Sequence, residues 1–373
     1  MMNWDMTDEE KLLKVSAANF FREKMPINHL RRIRDTNDPL GFPREAWQDM
    51  ASLGWTGILI DEDHGGLNFG FRGLGLILEA AGRQLAATPL LSTVAGASRL
   101  LQKNANLEQK ETLLPAIAAG ETIIALAHDE GQHHGQDIST HATLQGGKYV
   151  IQGRKSLVLD AALADQILVL ARTDQGLGWF LVPHKTQGLQ WEHFRLIDGR
   201  PAAHLSLQRV EVPASARIGT MKDATASYED LRNACAVGLA TEMLGAATAA
   251  FEMTLAYLKE RKQFGVAIGT FQALQHRMAN LYCELEVSRS VVQRALAALD
   301  EDHAKTTVFA SLAKGKLNDV MHAVATESIQ LHGGIGMTDE HNIGFFLKRS
   351  RINNELFGSA SFHRDRYAKA LEF

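Results

Sequence analysis

The sequence predicts an α+β chain in three blocks: helices over residues 1–120, strands over 121–225, and helices again over 226–373. Three observations carry this reading. Apolar residues recur at three- and four-residue spacing before Gly120 and after Ser227. Short β-branched runs divided by glycine turns fill the interval. Strand and helix patterns do not alternate along the chain, as a doubly wound parallel sheet would require. The length of 373 residues, with 45% hydrophobic and 22% charged residues, fits a multi-domain globular protein with a core of its own. A formal net charge of -4 (39 Lys+Arg against 43 Asp+Glu) argues against a nucleic-acid partner, whose phosphates call for a basic excess. Only Cys235 and Cys283 are present, which argues against a disulfide scaffold and fits a reducing compartment. The opening residues lack the order of a signal peptide, and no unbroken apolar run approaches the ~20 residues of a membrane span. The expectation is a soluble cytoplasmic protein.

In the first block, Leu12, Leu13, Val15, Phe20 and Phe21 form one stripe, with Asp8 and further acids in the opening turn, as a helix start prefers. Trp47, Met50, Leu53 and Trp55 mark a second helix, and Leu74 to Ala81 reads as a largely buried third. In the middle block the runs TIIALA, KYVIQG, SLVLDA, QILVLAR, GWFLVP and HLSLQRVEVP read as strands of an antiparallel sheet. Turns are placed at Gly146-Gly147, Gly176-Leu177-Gly178 and Asp198-Gly199. In the last block, Leu239, Met243, Ala246, Ala250 and Leu258 form one stripe. Phe271, Leu274, Met278, Leu281, Leu285, Val292, Ala295 and Leu299 form another.

Four segments bear chemistry. GRKSLV at Gly153 reads as a hairpin turn with a solvated basic pair. The stretch HDEGQHHGQD, from His128 to Asp137, offers metal-ligand types but lacks fixed ligand spacing, so a polar loop is the default and no metal is expected. ERKQFGVAIGTFQALQHRMA, from Glu260 to Ala279, ends one helix and opens the next. Its Arg261 suits either a helix C-terminus or a phosphate, and Gln272 a cofactor amide. ESIQLHGGIGMTDEH, from Glu327 to His341, runs a helix into Gly333-Gly334, either a C-cap or a place where backbone meets a ligand.

ERKQFG…IGTFQALQHRMA and IQLHGGIGMTDEH together resemble the two C-terminal signatures of the acyl-CoA dehydrogenase family, and the α–β–α order extends the resemblance over the whole chain. It implies an N-terminal α-helical domain, a middle β-barrel or sandwich domain and a C-terminal four-helix bundle. It also implies FAD shared between protomers of a homodimer or tetramer, an acyl-CoA substrate, and an electron-transferring flavoprotein as electron acceptor. Carried over by residue, Arg261, Gln263, Phe264, Phe271 and Gln272 match cofactor-contacting positions. Gln330, Leu331, Gly333 and Gly334 match the stretch that cradles the dinucleotide. The family's reaction removes an α-proton with a carboxylate while the β-hydride passes to flavin.

The sequence departs from the family at the base. The usual Tyr-Glu-Gly-Thr segment falls on Leu356-Phe357-Gly358-Ser359, so Phe357 stands at the base position. The alternative location, on an earlier bundle helix, is Cys235. Glu242, two turns after Cys235, is a substitute candidate whose other reading is an ion pair inside the bundle. Glu355 precedes Phe357 by two residues, and Arg232 has Glu229 and Asp230 as neighbours. The family's Trp-Ile-Thr flavin contact reads Leu157-Val158-Leu159. The pattern, ending LFGSASFHRDR, resembles bacterial members acting on steroid or other bulky acyl-CoA side chains, some of them α2β2 heteromers with one base-bearing partner. The alternatives are a non-catalytic structural subunit of such a complex, and a flavin-dependent monooxygenase of the same fold using His276 or the histidine stretch.

Overall fold

The structure is a computed structural model, and it describes residues 6–131, 138–220 and 222–373. Two compact units share the chain: Met1–Arg32, Phe71–Ala86 and Ala236–Phe373 form one, Ile33–Gly70 and Ala87–Cys235 the other.

The helical unit starts with α1 (Asp8–Lys24), followed in the chain by α2 (Ile27–Asp35). At the start of α1 the Thr7 hydroxyl accepts from the Glu10 amide while Glu10 reaches back to the Thr7 amide, a capping box. The predicted α1 stripe is only half interior: Phe21 is buried, but Leu12 is 72% exposed and Val15 59%. Leu12 and Phe21 sit nine residues apart, two and a half turns, and so lie on opposite faces. Helix α4 (Gly70–Arg83) follows in this unit, and its first amides are satisfied by Asp300, whose carboxylate accepts from Phe71 and Arg72. The long helix α7 (Thr225–Glu260) crosses α4 very closely. A Cβ on Gly82 would overlap the carbonyl oxygen of Glu242, and one on Gly245 the carbonyl oxygen of Glu79. Only glycine permits that approach. Helices α8 (Gln272–Asp300), α9 (Thr306–His332), α10 (Ile343–Glu355) and α11 (Ala360–Ala370) complete the unit. The stripes predicted for α7 and α8 are buried, except that Phe271, at the N-terminus of α8, is exposed and Leu274 only half-buried.

By length and composition α7 is apolar enough to cross a membrane, and 94% of its apolar window is buried in the structure. Counting unbroken apolar runs misses it because Glu242 interrupts the run.

The second unit holds α3 (Arg44–Ser52), a fully buried π-helical run at Leu90–Ser98, α5 (Arg99–Asn104), α6 (Leu107–Ala118) and seven strands. Strands β1 (Ile124–Ala127), β2 (His141–Gln145), β3 (Lys148–Leu159), β4 (Gln166–Thr173), β5 (Gly176–Pro183), β6 (Leu189–Arg195) and β7 (Pro201–Pro213) form one sheet. Its order is β1-β4-β2-β3-β7-β6, with β5 on β4. The sheet is mixed: β1 runs parallel to β4, because the β2–β3 hairpin intervenes before the chain returns. KYVIQG and SLVLDA, read as two strands, are one 12-residue strand with irregularities after Ile151 and Lys155. GRKSLV is therefore mid-strand, not a hairpin turn. Residues such as Ile151, Val158, Ile167, Phe180 and Leu205 build the sheet's core. Thr93 stitches the π-helical run to β1, its hydroxyl accepting from the Ile124 amide at 3.0 Å.

Candidate functional site

The Arg261 segment ends α7 and becomes an arm. The Arg261 amide donates to the Tyr257 carbonyl and the Arg261 carbonyl accepts from Ile268. Between them the two-residue strands β8 (Lys262–Gln263) and β9 (Val266–Ala267) pair around Phe264-Gly265. Both turn residues have positive φ (51° and 82°), the geometry of a tight type I′ hairpin. Phe264 at the tip is 92% exposed, with the Phe271 ring edge-on to it at 6.1 Å between centroids. Arg261, Gln263 and Gln272 are exposed as well, and the Arg261 guanidinium has no ion-pair partner among the described residues.

The Gly333 segment lies at the same end of this unit. Helix α9 ends at His332, and Gly333 turns the chain with φ +63°. A Cβ on Gly333 or Gly334 would meet nothing within 4 Å, so their backbone is open to approach. Gln330 is exposed and Leu331 is buried, anchoring the stretch. His332 donates from Nδ1 to the Ser328 carbonyl at 2.7 Å, leaving its buried Nε2 without a partner. Burial first, then the nearby His341, holds its pKa below the ordinary value, with the Ser328 bond opposing. Its ring stacks on Tyr257, one turn before Arg261, at 4.5 Å, which brings the two segments together. A cavity of about 440 Å³ beside them is lined by Gln330, Gly336, Met337, His341, Phe345 and Lys348, among others. An unpaired guanidinium, an exposed aromatic ring and two open glycines fit the phosphates and rings of a dinucleotide.

Phe357, which the sequence resemblance aligns with the family's base, lies on the turn between α10 and α11. Phe357 adopts φ +55° and Gly358 +118°. The Phe357 carbonyl accepts from His363 Nε2 at 3.0 Å. The Gly358 carbonyl accepts from Lys314 Nζ at 3.0 Å and Asn318 Nδ2 at 3.3 Å. Phe357 offers no proton acceptor on its side chain. The Cys235 thiol is wholly buried and donates to the Leu91 carbonyl; burial, then the charge of Asp230, pushes its pKa far up, so it is no thiolate. Glu242 is held by buried Arg349 at 2.9 Å, and Arg349 also donates to the Leu85 carbonyl. This is the ion-pair arrangement, and it leaves Glu242 poorly suited to act as a base. Glu355 is exposed and accepts from Asn354.

In the sheet unit, Leu157 has φ +53° and its amide donates to His204 Nδ1 at 3.4 Å; Val158 is buried in the core. Arg232 pairs with Glu229 at 2.6 Å and stacks over Tyr228, whose hydroxyl lies 3.3 Å from His128. Lys155, wholly buried, meets Glu130 at 2.5 Å. Burial pushes the Glu130 pKa up, but Lys155 together with bonds from Ser139 and Thr140 prevails and holds it at about 2. Burial pulls Lys155 down to about 8 against the pull of Glu130. Of the histidine stretch, residues 132–137 lie outside the described residues. Among the described residues no cluster of three metal-ligating side chains occurs. Sequence reasoning missed Lys314 and the role of Lys155; a signal was available only for the first, a lysine inside the largely apolar run FASLAKG, whereas Lys155 sits among Gln152, Arg154 and Ser156.

The chain thus combines a helical unit, one end of which exposes Arg261, Phe264, Gly333 and Gly334, with a unit built on a mixed β-sheet. The family models for the acyl-CoA dehydrogenase N-terminal, middle and C-terminal domains match residues 7–121, 124–210 and 233–372. The chain belongs to the acyl-CoA dehydrogenase family, whose members are FAD-dependent oxidoreductases. It is 27% identical to the probable acyl-CoA dehydrogenase YngJ of Bacillus subtilis (strain 168), over 99% of this chain and 100% of that one. It is 27% identical to the caffeyl-CoA reductase-Etf complex subunit CarC of Acetobacterium woodii, over 93% of each. The solved Tcur3481-Tcur3483 steroid ACAD variant matches with a TM-score of 0.88 and 28% identity over 98% of both chains.

Proposed function

We propose that this chain is one subunit of an FAD-dependent enzyme that α,β-dehydrogenates a bulky acyl-CoA, working as an α2β2 heteromer with a paralogue that carries the carboxylate. The domains read from sequence, 1–120, 121–225 and 226–373, are kept as its working division. The observation that carries the proposal is Phe357. The turn at the family's base position is intact and well held, but its side chain cannot take a proton. Cys235 is buried and Glu242 is paired, so neither replaces it. Arg261, Gln263, Phe264, Phe271 and Gln272, with Gln330, Leu331, Gly333 and Gly334, are the residues assigned to FAD. When bound, FAD supplies a two-electron acceptor for the substrate's hydride. The guanidinium of Arg261 would neutralise phosphate charge, the Phe264 ring would cover an apolar ring face, and the glycine amides would donate to phosphate oxygens. The likeness to a steroid ACAD supports a bulky acyl group, and the likeness to a subunit of an Etf complex supports an electron-transferring flavoprotein as partner.

The test is to purify the chain alone and co-expressed with a family paralogue that retains the carboxylate. Flavin content and anaerobic bleaching by a steroid side-chain CoA thioester are then read. Bleaching by the co-expressed pair and none by the single chain is expected. Full activity from the chain alone sinks the heteromer. A pair whose flavin sites all lie on the paralogue makes the chain a structural subunit. Arg261→Ala should lower flavin content, and unchanged flavin removes that residue from the site.

A further inference from the structure

The helical unit buries a cation whose hydrogen-bond acceptors are all neutral oxygens. Lys314, on α9, is wholly inaccessible to solvent. Its Nζ donates to Asn318 Oδ1 at 2.6 Å, to the Asn353 carbonyl at 2.8 Å and to the Gly358 carbonyl at 3.0 Å. Three acceptors match the three protons of an ammonium. Two of these bonds reach the end of α10 and the turn after it. That turn needs holding. Phe357 sits in the left-handed region, which sterics disfavour for a residue with a side chain. At Gly358 a Cβ would lie 2.5 Å from the Phe362 ring and 2.6 Å from His363 Nε2. Strained backbone persists where its surroundings over-determine it, and such positions gather at functional sites.

We propose that Lys314 is a positioning residue: its three-point hold on Asn318, Asn353 and Gly358 fixes the turn that presents the side chain at position 357. The significance of that side chain rests on the proposed function above; the hold itself does not. The hold depends on protonation. A neutral amine has two protons and a lone pair, so one acceptor goes unmet. Burial pulls the Lys314 pKa down to about 7, with the charge of Glu355 on α10 opposing. Of the other charged or titratable groups on the packed helices, His322 and Arg351 act on each other, burial and then the Arg351 charge lowering the His322 pKa, and several more are engaged elsewhere. Arg364 pairs with Asp319, Arg366 donates to Ser311, Lys316 pairs with Glu284, and His363 donates to Phe357.

The experiment is amide hydrogen exchange on the full chain, for residues 356–360, at about pH 6 and about pH 9, corrected for intrinsic rates. In the wild type, local protection of this turn should fall roughly tenfold from the lower to the higher pH, because the fluctuation that frees the turn leaves Lys314 buried and one hydrogen bond short. Global stability, whose unfolded state solvates the amine, moves the opposite way. In Lys314→Met it should be low at both, while peptides of α7 keep their protection. Asn318→Ala, which removes one acceptor and one donor to Gly358, should weaken the same segment and serves if Lys314→Met does not fold. Equal wild-type protection at both pH values overturns the proposal. So does a Lys314→Met variant that keeps the turn protected, or one that loses protection uniformly across the chain. Flavin, acyl-CoA and partner are absent from this measurement, so its failure is separate from failure of the dehydrogenase reading. That reading is tested by whether Phe357→Glu raises dehydrogenation from a low baseline.

Discussion

Lys155 in the sheet and Lys314 in the helical unit are both wholly buried, and they are accommodated by opposite means. Lys155 meets a carboxylate, Glu130, which also collects Ser139 and Thr140, so a charge pair fastens the loop after β1 to the middle of β3. Lys314 meets only neutral oxygens, and it fastens a turn. The sheet lysine is costly to lose because its removal strands a charge. The helical one leaves behind only polar groups. The first arrangement holds at any neutral pH, whereas the second is poised to change within it.

The largest effect is expected from Lys155→Met. Breaking a buried pair leaves Glu130 uncompensated and should cost about 3–5 kcal/mol, read from the urea midpoint. Adding Glu130→Gln should recover a good part of that loss. A double variant no better than the single would mean that the two groups are not coupled. Lys314→Met should cost less, about 1–3 kcal/mol, from buried acceptors left unmet.

A pH series sharpens the contrast further. Both lysines have folded pKa values, about 8 and about 7, below the ordinary 10.5. On acidification the unfolded chain takes up these protons first, so stability should fall as pH drops from about 10.5 toward 7 and level off below. Glu130 acts in the opposite range. Its carboxyl lies at about 2 against 4.5 unfolded, so its contribution is full above 4.5 and disappears as pH falls toward 2. Lys314→Met should flatten the alkaline limb partly and leave the acid limb unchanged, and equal flattening of both would contradict the assignment. The smallest effect belongs to Arg154→Ala. Arg154 neighbours Lys155 in sequence but pairs with Glu192 in solvent at 3.2 Å, so its loss should cost under about 1 kcal/mol.

The block order and the cofactor-type segments were legible because they depend on local pattern. The spacing from Leu239 to Leu258 marks a buried helix face, and glycines at 333 and 334 mark exposed backbone. What stayed hidden depends on partners distant in sequence. Gly153 looked like a turn because glycine usually punctuates; here it lies opposite Leu207, within a strand paired with β7, and a Cβ there would crowd Thr140. Strand β6, LQWEHFR, went unread because only one face is apolar and charges interrupt it. The partner of Glu242 is 107 residues away, and no local rule points from one to the other. Lys314 carries the same difficulty, since its acceptors are backbone carbonyls that any residue supplies.

The crossing of α4 and α7 has a consequence for how this chain can drift. The atom that would obstruct a methyl group at Gly82 belongs to the main chain of Glu242, and the obstruction at Gly245 to that of Glu79. No exchange of side chains elsewhere removes a carbonyl oxygen. A mutation at either glycine therefore has no compensating second-site substitution short of sliding one helix along the other, and the two positions are expected to be frozen separately rather than to covary.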